Sequence, residues 1–443
     1  MPVASEDARW LRRLQARVPG VRRFVASGRI VELVGLTVVS AGPPAVLGEV
    51  CQLYPAADEP PVAAQVVGFR QGHVLLLPLG RVSGLEPGGC VVATGRPISA
   101  AIGRGCLGRV LDAFGQPLDG RGPLREVSPQ PVEAPPPPAL ERTRIAAPMH
   151  FGVRALDAVL TCGKGQRMGV FAGAGVGKST LLGMMASHAA ADVVVIALVG
   201  ERGREVGDFL NTNLGRGLDR SVVVVATSDE PALVRITAGL TATAIAEHFR
   251  DQGLDVLLIM DSLTRLARAQ REVGLAAGEA PTTRGYPPSV YEFLPRLLER
   301  AGPSARGTIT GIYAVLVEGD DMQEPVADTV SATLDGHIVL SRALAQGGHY
   351  PAVDIGASVS RLMPQVADPE HLAAAQSLRA LVAARREIED LLSVGAYRPG
   401  SRPLADRALA LWPRLEAFLR QAPEETCGFA TTRQRLLELA RSA

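Results

Sequence analysis

Phe171-Ala172-Gly173-Ala174-Gly175-Val176-Gly177-Lys178-Ser179-Thr180 is the stretch on which the fold turns. The apolar run Arg167–Phe171 leads into it, and a helical pattern through Ala186 leads out. Its spacing is that of a phosphate-binding P-loop, with Ala172 where the strict pattern has glycine. Glycines at 173, 175 and 177 let backbone N–H groups curl around the β- and γ-phosphates of a nucleotide, and the helix N-terminus adds partial positive charge. Lys178 brings a mobile cation to the phosphates, and Ser179 offers a hydroxyl to Mg²⁺. Ala174, Val176 and Thr180 complete the segment. The bland alternative is a glycine-rich strand-to-helix turn. A GKS triplet in register between strand and helix argues against it.

Working outward, near-continuous apolar runs recur at Val193–Val199, Val222–Ala226, Val256–Met260 and Thr308–Leu316, with helical patterns between them. Strands buried on both faces read this way, so a parallel sheet covered by helices is expected over residues 148–365. Two of the strands end in acidic residues. Asp261 closes Val256-Leu257-Leu258-Ile259-Met260-Asp261, where a carboxylate beside a P-loop holds Mg²⁺ through its water shell. Glu201 opens Glu201-Arg202-Gly203-Arg204-Glu205 just past the strand Val193–Val199, facing the ligand crevice of an open α/β sheet. It is placed to orient an attacking water. The residues alone leave open whether that charged run is instead a solvated loop.

The rest of the chain divides by texture. Residues 1–22 place Trp10, Leu11, Leu14 and Val18 at helical spacing among arginines, which predicts a short basic amphipathic helix. Over 23–95 five short β-rich runs (Arg29–Leu36, Ala45–Leu53, Pro61–Phe69, His73–Leu77, Cys90–Ala93) alternate with Gly and Pro turns, which predicts a small barrel or sandwich. Few aromatics stand there, so a base-stacking platform is not expected. Residues 96–147 are rich in Gly and Pro, end in the run Pro135–Pro138, and read as an extended connector. Residues 366–443 turn helical, at 369–394, 404–420 and 431–441, with a break at Tyr397-Arg398-Pro399-Gly400.

At 443 residues the chain is long enough for two or three domains. Its formal net charge of +1 creates no overall field for nucleic acid or an anionic membrane. No apolar run approaches the ~18 residues that cross a bilayer. Five scattered cysteines form no CxxC pair, and no HExxH occurs among the seven histidines, so neither a disulfide framework nor a transition-metal site is expected.

Ala172–Thr180, Gly200–Glu205, Val256–Arg265 and Leu334-Asp335-Gly336-His337-Ile338-Val339-Leu340-Ser341-Arg342 together resemble the catalytic subunits of the rotary ATP synthase superfamily. Within it, Arg284-Gly285-Tyr286-Pro287-Pro288-Ser289-Val290, the stretch from Glu318 to Asp328 and His349-Tyr350-Pro351-Ala352 resemble the export ATPases of type III secretion systems. The stretch around Met322, Glu324 and Val326 looks more like the virulence-type branch than the flagellar one. The resemblance implies an α/β fold: a RecA-like P-loop ATPase core with an N-terminal β-barrel and a C-terminal helical domain.

By position, the resemblance makes Lys178 and Ser179 the phosphate and Mg²⁺ ligands and Glu201 the catalytic glutamate. Arg202 and Arg265 fall near the γ-phosphate, Asp261 on the Mg²⁺ side, and Tyr350 where an aromatic ring stacks on adenine. Arg361, in Ser358-Val359-Ser360-Arg361, matches an arginine finger offered to a neighbouring subunit's nucleotide. The implied protein hydrolyses Mg²⁺-ATP as a homohexamer. It sits in the cytoplasm, peripheral to the inner-membrane export apparatus, and strips chaperones from secretion substrates. A central stalk protein and a negative regulator are its implied partners, and no nucleic acid is. An RNA-translocating ring helicase and a non-catalytic rotary ATPase subunit are the rivals. The first wants a stacking N-terminal domain, and the second usually lacks the glutamate present at 201.

Overall fold

The computed structural model describes residues 26–55, 59–317, 319 and 321–442. The helix expected at 1–22 lies outside them, as do Glu318 and Asp320. The chain divides between Ile98 and Ser99 into two compact units.

The first unit is a closed barrel of six antiparallel strands, β1 (Ser27–Val34), β2 (Thr37–Ala41), β3 (Glu49–Leu53), β4 (Val62–Arg70), β5 (His73–Pro78) and β6 (Cys90–Pro97), in the order β1-β2-β5-β4-β3-β6. Alternate residues of each strand point inward, and Ile30, Val38, Cys51, Leu53, Val66, Leu76 and Val91 fill the interior. The sequence reading ran one strand through Leu36 and missed β2. Gly35 and Leu36 are in fact a two-residue hairpin loop, with Val34 paired to Thr37 and Gly35 at φ +57°. Glycine at the first position of such a loop is the signal that marks it.

The second unit is built on a nine-stranded sheet. β7 (Ser99–Gly103) pairs with β9 (Val127–Pro131) in a separate ribbon, while β8 (Arg109–Leu111) joins the large sheet at its edge. A small ribbon of β10 (Pro148–Met149) and β11 (Cys162–Gly163) precedes the main strands. These are β12 (Arg167–Ala172), β13 (Val193–Glu201), β14 (Ser221–Thr227), β15 (Asp255–Asp261), β17 (Thr308–Leu316) and β18 (Gly336–Leu340), with the two-residue β16 (Gly302–Pro303) and β19 (Val359–Ser360). The order is β19-β18-β12-β17-β15-β13-β14-β8, with β16 beside β17. All of these pairings are parallel except those of β16 and β19. Every residue of β13 is buried, as the unbroken apolar run requires of a strand covered on both faces.

One feature departs from the sequence reading. Residues 96–147, read as connector, contribute β8 to the sheet in parallel with β14. Arg109 within β8 is buried and makes a bidentate pair with Asp119 at 2.6 and 2.8 Å. Upstream of this strand, Gly103 and Gly105 sit against the backbone of Glu126 and Arg125, where a Cβ has no room. The tail is helical as expected, at Pro369–Glu387, Glu389–Ser393, Pro403–Leu419 and Phe429–Arg441. Leu378, Leu381, Leu415, Phe418 and Leu436 belong to the same hydrophobic cluster as Leu156, Val159 and Leu182. The tail therefore shares the core of the nine-stranded sheet.

Candidate nucleotide site

β12, β13, β15 and β17 run in parallel, so their carboxyl ends open on one edge of the sheet, and the P-loop leaves that edge after Ala172. Gly175 and Gly177 adopt φ +76° and +89°, the left-handed conformations that a side chain resists. Gly177 precedes the helix Lys178–His188, and no side chain caps that helix. Its first N–H groups are left for a ligand, with the helix dipole behind them. Ala172 is buried in the strand, so a methyl group there leaves the cradle unchanged.

Four of the residues singled out from sequence converge beyond this edge. Lys178 Nζ pairs with Asp261 Oδ1 and stands 3.7 Å from Glu201 Oε1. Arg265 Nη2 donates to Glu201 Oε2 at 3.0 Å. The strand register explains the meeting: Leu198 of β13 pairs with Asp261 of β15, and a bulge at Gly200 then re-aims Glu201. Gly200, at φ +70°, also makes room for Arg265, whose Cδ lies 2.9 Å from where a Cβ would stand. Ser262 caps the helix Leu263–Ala277 by accepting from Arg265 N, which fixes that residue in the first turn. Thr264 fastens the same turn to β17 through the backbone of Leu316.

Glu201 is 8% exposed. Burial, a hydrogen bond to Glu205 and the charge of Asp261 push its carboxyl up to about 7, against the pull of Lys178 and Arg265. Glu205 is held low by that same hydrogen bond. Sequence reasoning gives Glu205 no part, because Glu201 ends β13 while Glu205 lies in the helix Gly203–Asp208 and the two meet only in the fold. Arg265 Nε is buried with no partner among the described residues. A buried donor in that state, beside a phosphate cradle, suits an anion.

Ser179 is exposed on the first helical turn, and the Asp261 carboxylate ends β15 beside Lys178. Oxygen donors of this kind fit Mg²⁺ arriving with a nucleotide. No cluster of three or more His, Cys, Asp or Glu able to hold a metal ion by itself occurs among the described residues. The Tyr350 ring lies against the P-loop, 3.3 Å from where a Cβ on Gly177 would be, and is half exposed. A cavity of about 700 Å³ starts at Thr180, follows Met184 and Ser187 down the same helix, and is bordered by Asn213, Pro423 and Glu424.

Two residues stand apart. Arg202 faces solvent, 79% exposed, with Glu205 at 3.9 Å. Arg361 follows β19, its N–H donating to Asp335 O at 3.0 Å and its guanidinium to Ser331 O at 3.4 Å. Asp335 in turn bonds Arg167, the first residue of β12, whereas the P-loop begins at the last. The length of that strand, roughly 16 Å at ~3.3 Å per residue, separates Arg361 from its own P-loop.

Known proteins are similar to this chain over most of its length. The nucleotide-binding domain of the ATP synthase alpha/beta family matches residues 152–360, the beta-barrel domain of that family matches 30–95, and the T3SS EscN ATPase C-terminal domain matches 367–438. The flagellum-specific ATP synthase of Bacillus subtilis is 51% identical over 90% of this chain and 91% of its own. The type 3 secretion system ATPase of Xanthomonas euvesicatoria is 48% identical over 94% of both. The solved structure of the assembled ATPase EscN with its central stalk EscO, from the type III secretion system of enteropathogenic E. coli, superposes with a TM-score of 0.86 at 43% identity. It covers 93% of this chain and all of that one. The chain belongs to the ATP synthase alpha/beta family, among the ATP hydrolases of type III secretion and flagellar protein export.

Proposed function

We propose that the chain hydrolyses Mg²⁺-ATP at a site completed by a second copy of itself, and so energises export through a type III secretion apparatus. The observation that carries this reading is the division of the machinery across the sheet. Lys178, Glu201, Asp261 and Arg265 gather at one edge, and Arg361 stands at the other. In this reading the P-loop amides and Lys178 hold the β- and γ-phosphates, and Ser179, with Asp261 through water, would hold Mg²⁺. The ion supplies charge neutralisation on the phosphates when bound. Glu201 accepts a hydrogen bond from the attacking water, Arg265 keeps that carboxylate aimed, and Tyr350 flanks the adenine. Arg361 of one copy reaches the γ-phosphate of the next, with Arg202 at the open rim.

A ring of six, turning on or against a central stalk, suits the likeness to the assembled EscN complex. Mg²⁺ as the physiological ion, the domain limits 1–22, 23–95, 96–147, 148–365 and 366–443, and partnership with chaperone–substrate complexes and a regulator at the inner membrane form part of the same proposal. No helix among the described residues is long and apolar enough to cross a membrane. The flagellar machine is the second reading, favoured by the 51% identity to a flagellum-specific relative.

Glu201→Gln tests the assignment. It keeps the side chain's size and removes the charge that orients water, so ATP binding and ring assembly should persist. Hydrolysis should fall by ~10²–10⁴, the usual contribution of a positioned base. Turnover at the wild-type rate would refute it.

A further inference from the structure

The segment between the last two helices, 420–428, is fastened to the nucleotide site through one buried side chain. Gln421 is 4% exposed. Its Oε1 accepts from Arg154 N at 2.8 Å, and its Nε2 donates to Gly152 O and Glu425 O, both at 2.7 Å. Its own N–H donates to Tyr350 O at 3.0 Å. Arg154 is 4% exposed and spends its guanidinium on the same segment: Nε donates to Phe418 O at 2.7 Å, Nη2 to Arg420 O, and Nη1 pairs with Glu425.

Both ends of the P-loop helix feel this knot. At its N-terminus the Tyr350 ring lies on Gly177. At its C-terminus Gly152, at φ +70°, abuts His188, whose Cβ is 2.7 Å from where a side chain on that glycine would begin. Nearby, Arg420 Nε reaches His349 Nδ1 at 3.5 Å, a second tie one residue before Tyr350.

We propose that Gln421, held by Arg154, is a positioning residue that sets Tyr350 against the P-loop, so that the helical tail governs affinity for ATP. This rests on the reading of Tyr350 as the adenine's neighbour. A fully bonded polar knot of this kind is rigid, because each broken bond strands a buried partner. Movement of the helix Pro403–Leu419, through whatever the tail engages, therefore reaches the ring of Tyr350 rather than dissipating. The chemistry at Lys178 and Glu201 lies outside the knot, so binding should change and turnover at saturation should not.

Steady-state kinetics of the full-length protein as assembled rings provide the test, with Gln421→Leu, Arg154→Lys, Tyr350→Ala and the double variant Q421L/Y350A. Q421L should raise KM for ATP by ~5–10-fold with kcat within ~2-fold of wild type, and R154K should shift KM the same way. Added to Y350A, Q421L should change KM by less than ~2-fold, since both act on one contact. Thermal melting checks folding; where Q421L does not fold, R154K and R154K/Y350A carry the same comparison. A wild-type KM in Q421L, a loss confined to kcat, or an undiminished effect of Q421L on Y350A would overturn the proposal. Wild-type KM in Y350A alone would instead remove the reading of Tyr350, and with it the route through the ring.

Discussion

In the proposed role Glu201 has to be ionised to orient water, yet its burial pushes its carboxyl up to about 7. In the nucleotide-free enzyme kcat/KM should therefore rise with pH along a limb centred near 7 and level off above it. A profile flat from pH 6 to 8 would contradict this placement of the base. Stability runs the opposite way. The folded-state value lies above the unfolded one of about 4.5, so the native state binds the extra proton, and this group's contribution falls as pH rises from about 4.5 through 7. Urea unfolding of wild type and E201Q at pH 5 and pH 8 should show a smaller pH difference in the variant. The site residues were unequally legible from sequence. Ala172–Thr180 could be read outright, because a phosphate cradle is a contiguous device. Glu201 and Asp261 were legible as strand ends, but Arg265 and Tyr350 needed a family resemblance, because nothing local announces a contact made across the sheet. Gln421 and Arg154 could not be read at all: they lie 267 positions apart and meet only in the fold.

At the scale of elements, the P-loop helix is held by a close approach that only glycine permits. A Cβ on Gly183 would stand 2.5 Å from Asn213 Cβ and 2.9 Å from its carbonyl oxygen, on the π-helical turn Phe209–Leu214. That turn continues from Glu201 through the short helix Gly203–Asp208, so the contact joins the end of β13 to the P-loop helix. Gly183→Ala should cost ~1–3 kcal/mol by overpacking, less what alanine restores in helix propensity. A measurable loss in urea unfolding is the expected result, and equal or greater stability would show that the turn yields freely. The apolar strands β12, β13, β15 and β17 were legible because burial on both faces leaves an unbroken hydrophobic run. β8 was not. It is three residues long, preceded by Gly108, and held by the Arg109–Asp119 pair rather than by an apolar pattern. β2 was hidden by a two-residue hairpin that reads as strand continuing.

For the whole molecule, the separation of Arg361 from Lys178 is what the proposed shared site rests on. In the proposed reading, a residue a strand's length from its own P-loop contributes to hydrolysis across a boundary between copies. An arginine placed on the γ-phosphate accelerates such reactions by ~10³–10⁵. Lys178→Ala should abolish nucleotide binding, and Arg361→Ala should bind ATP and hydrolyse it poorly; each alone is close to inactive. Mixing the two is the most direct measurement of the shared site. In randomly mixed rings a site is intact when an R361A copy holds the nucleotide and a K178A copy stands beside it on the finger side. With equal amounts the chance is half times half, so activity should recover to as much as about a quarter of wild type if sites act independently. A mixture no more active than its separate components, with mixed rings demonstrated by sizing, would contradict the account.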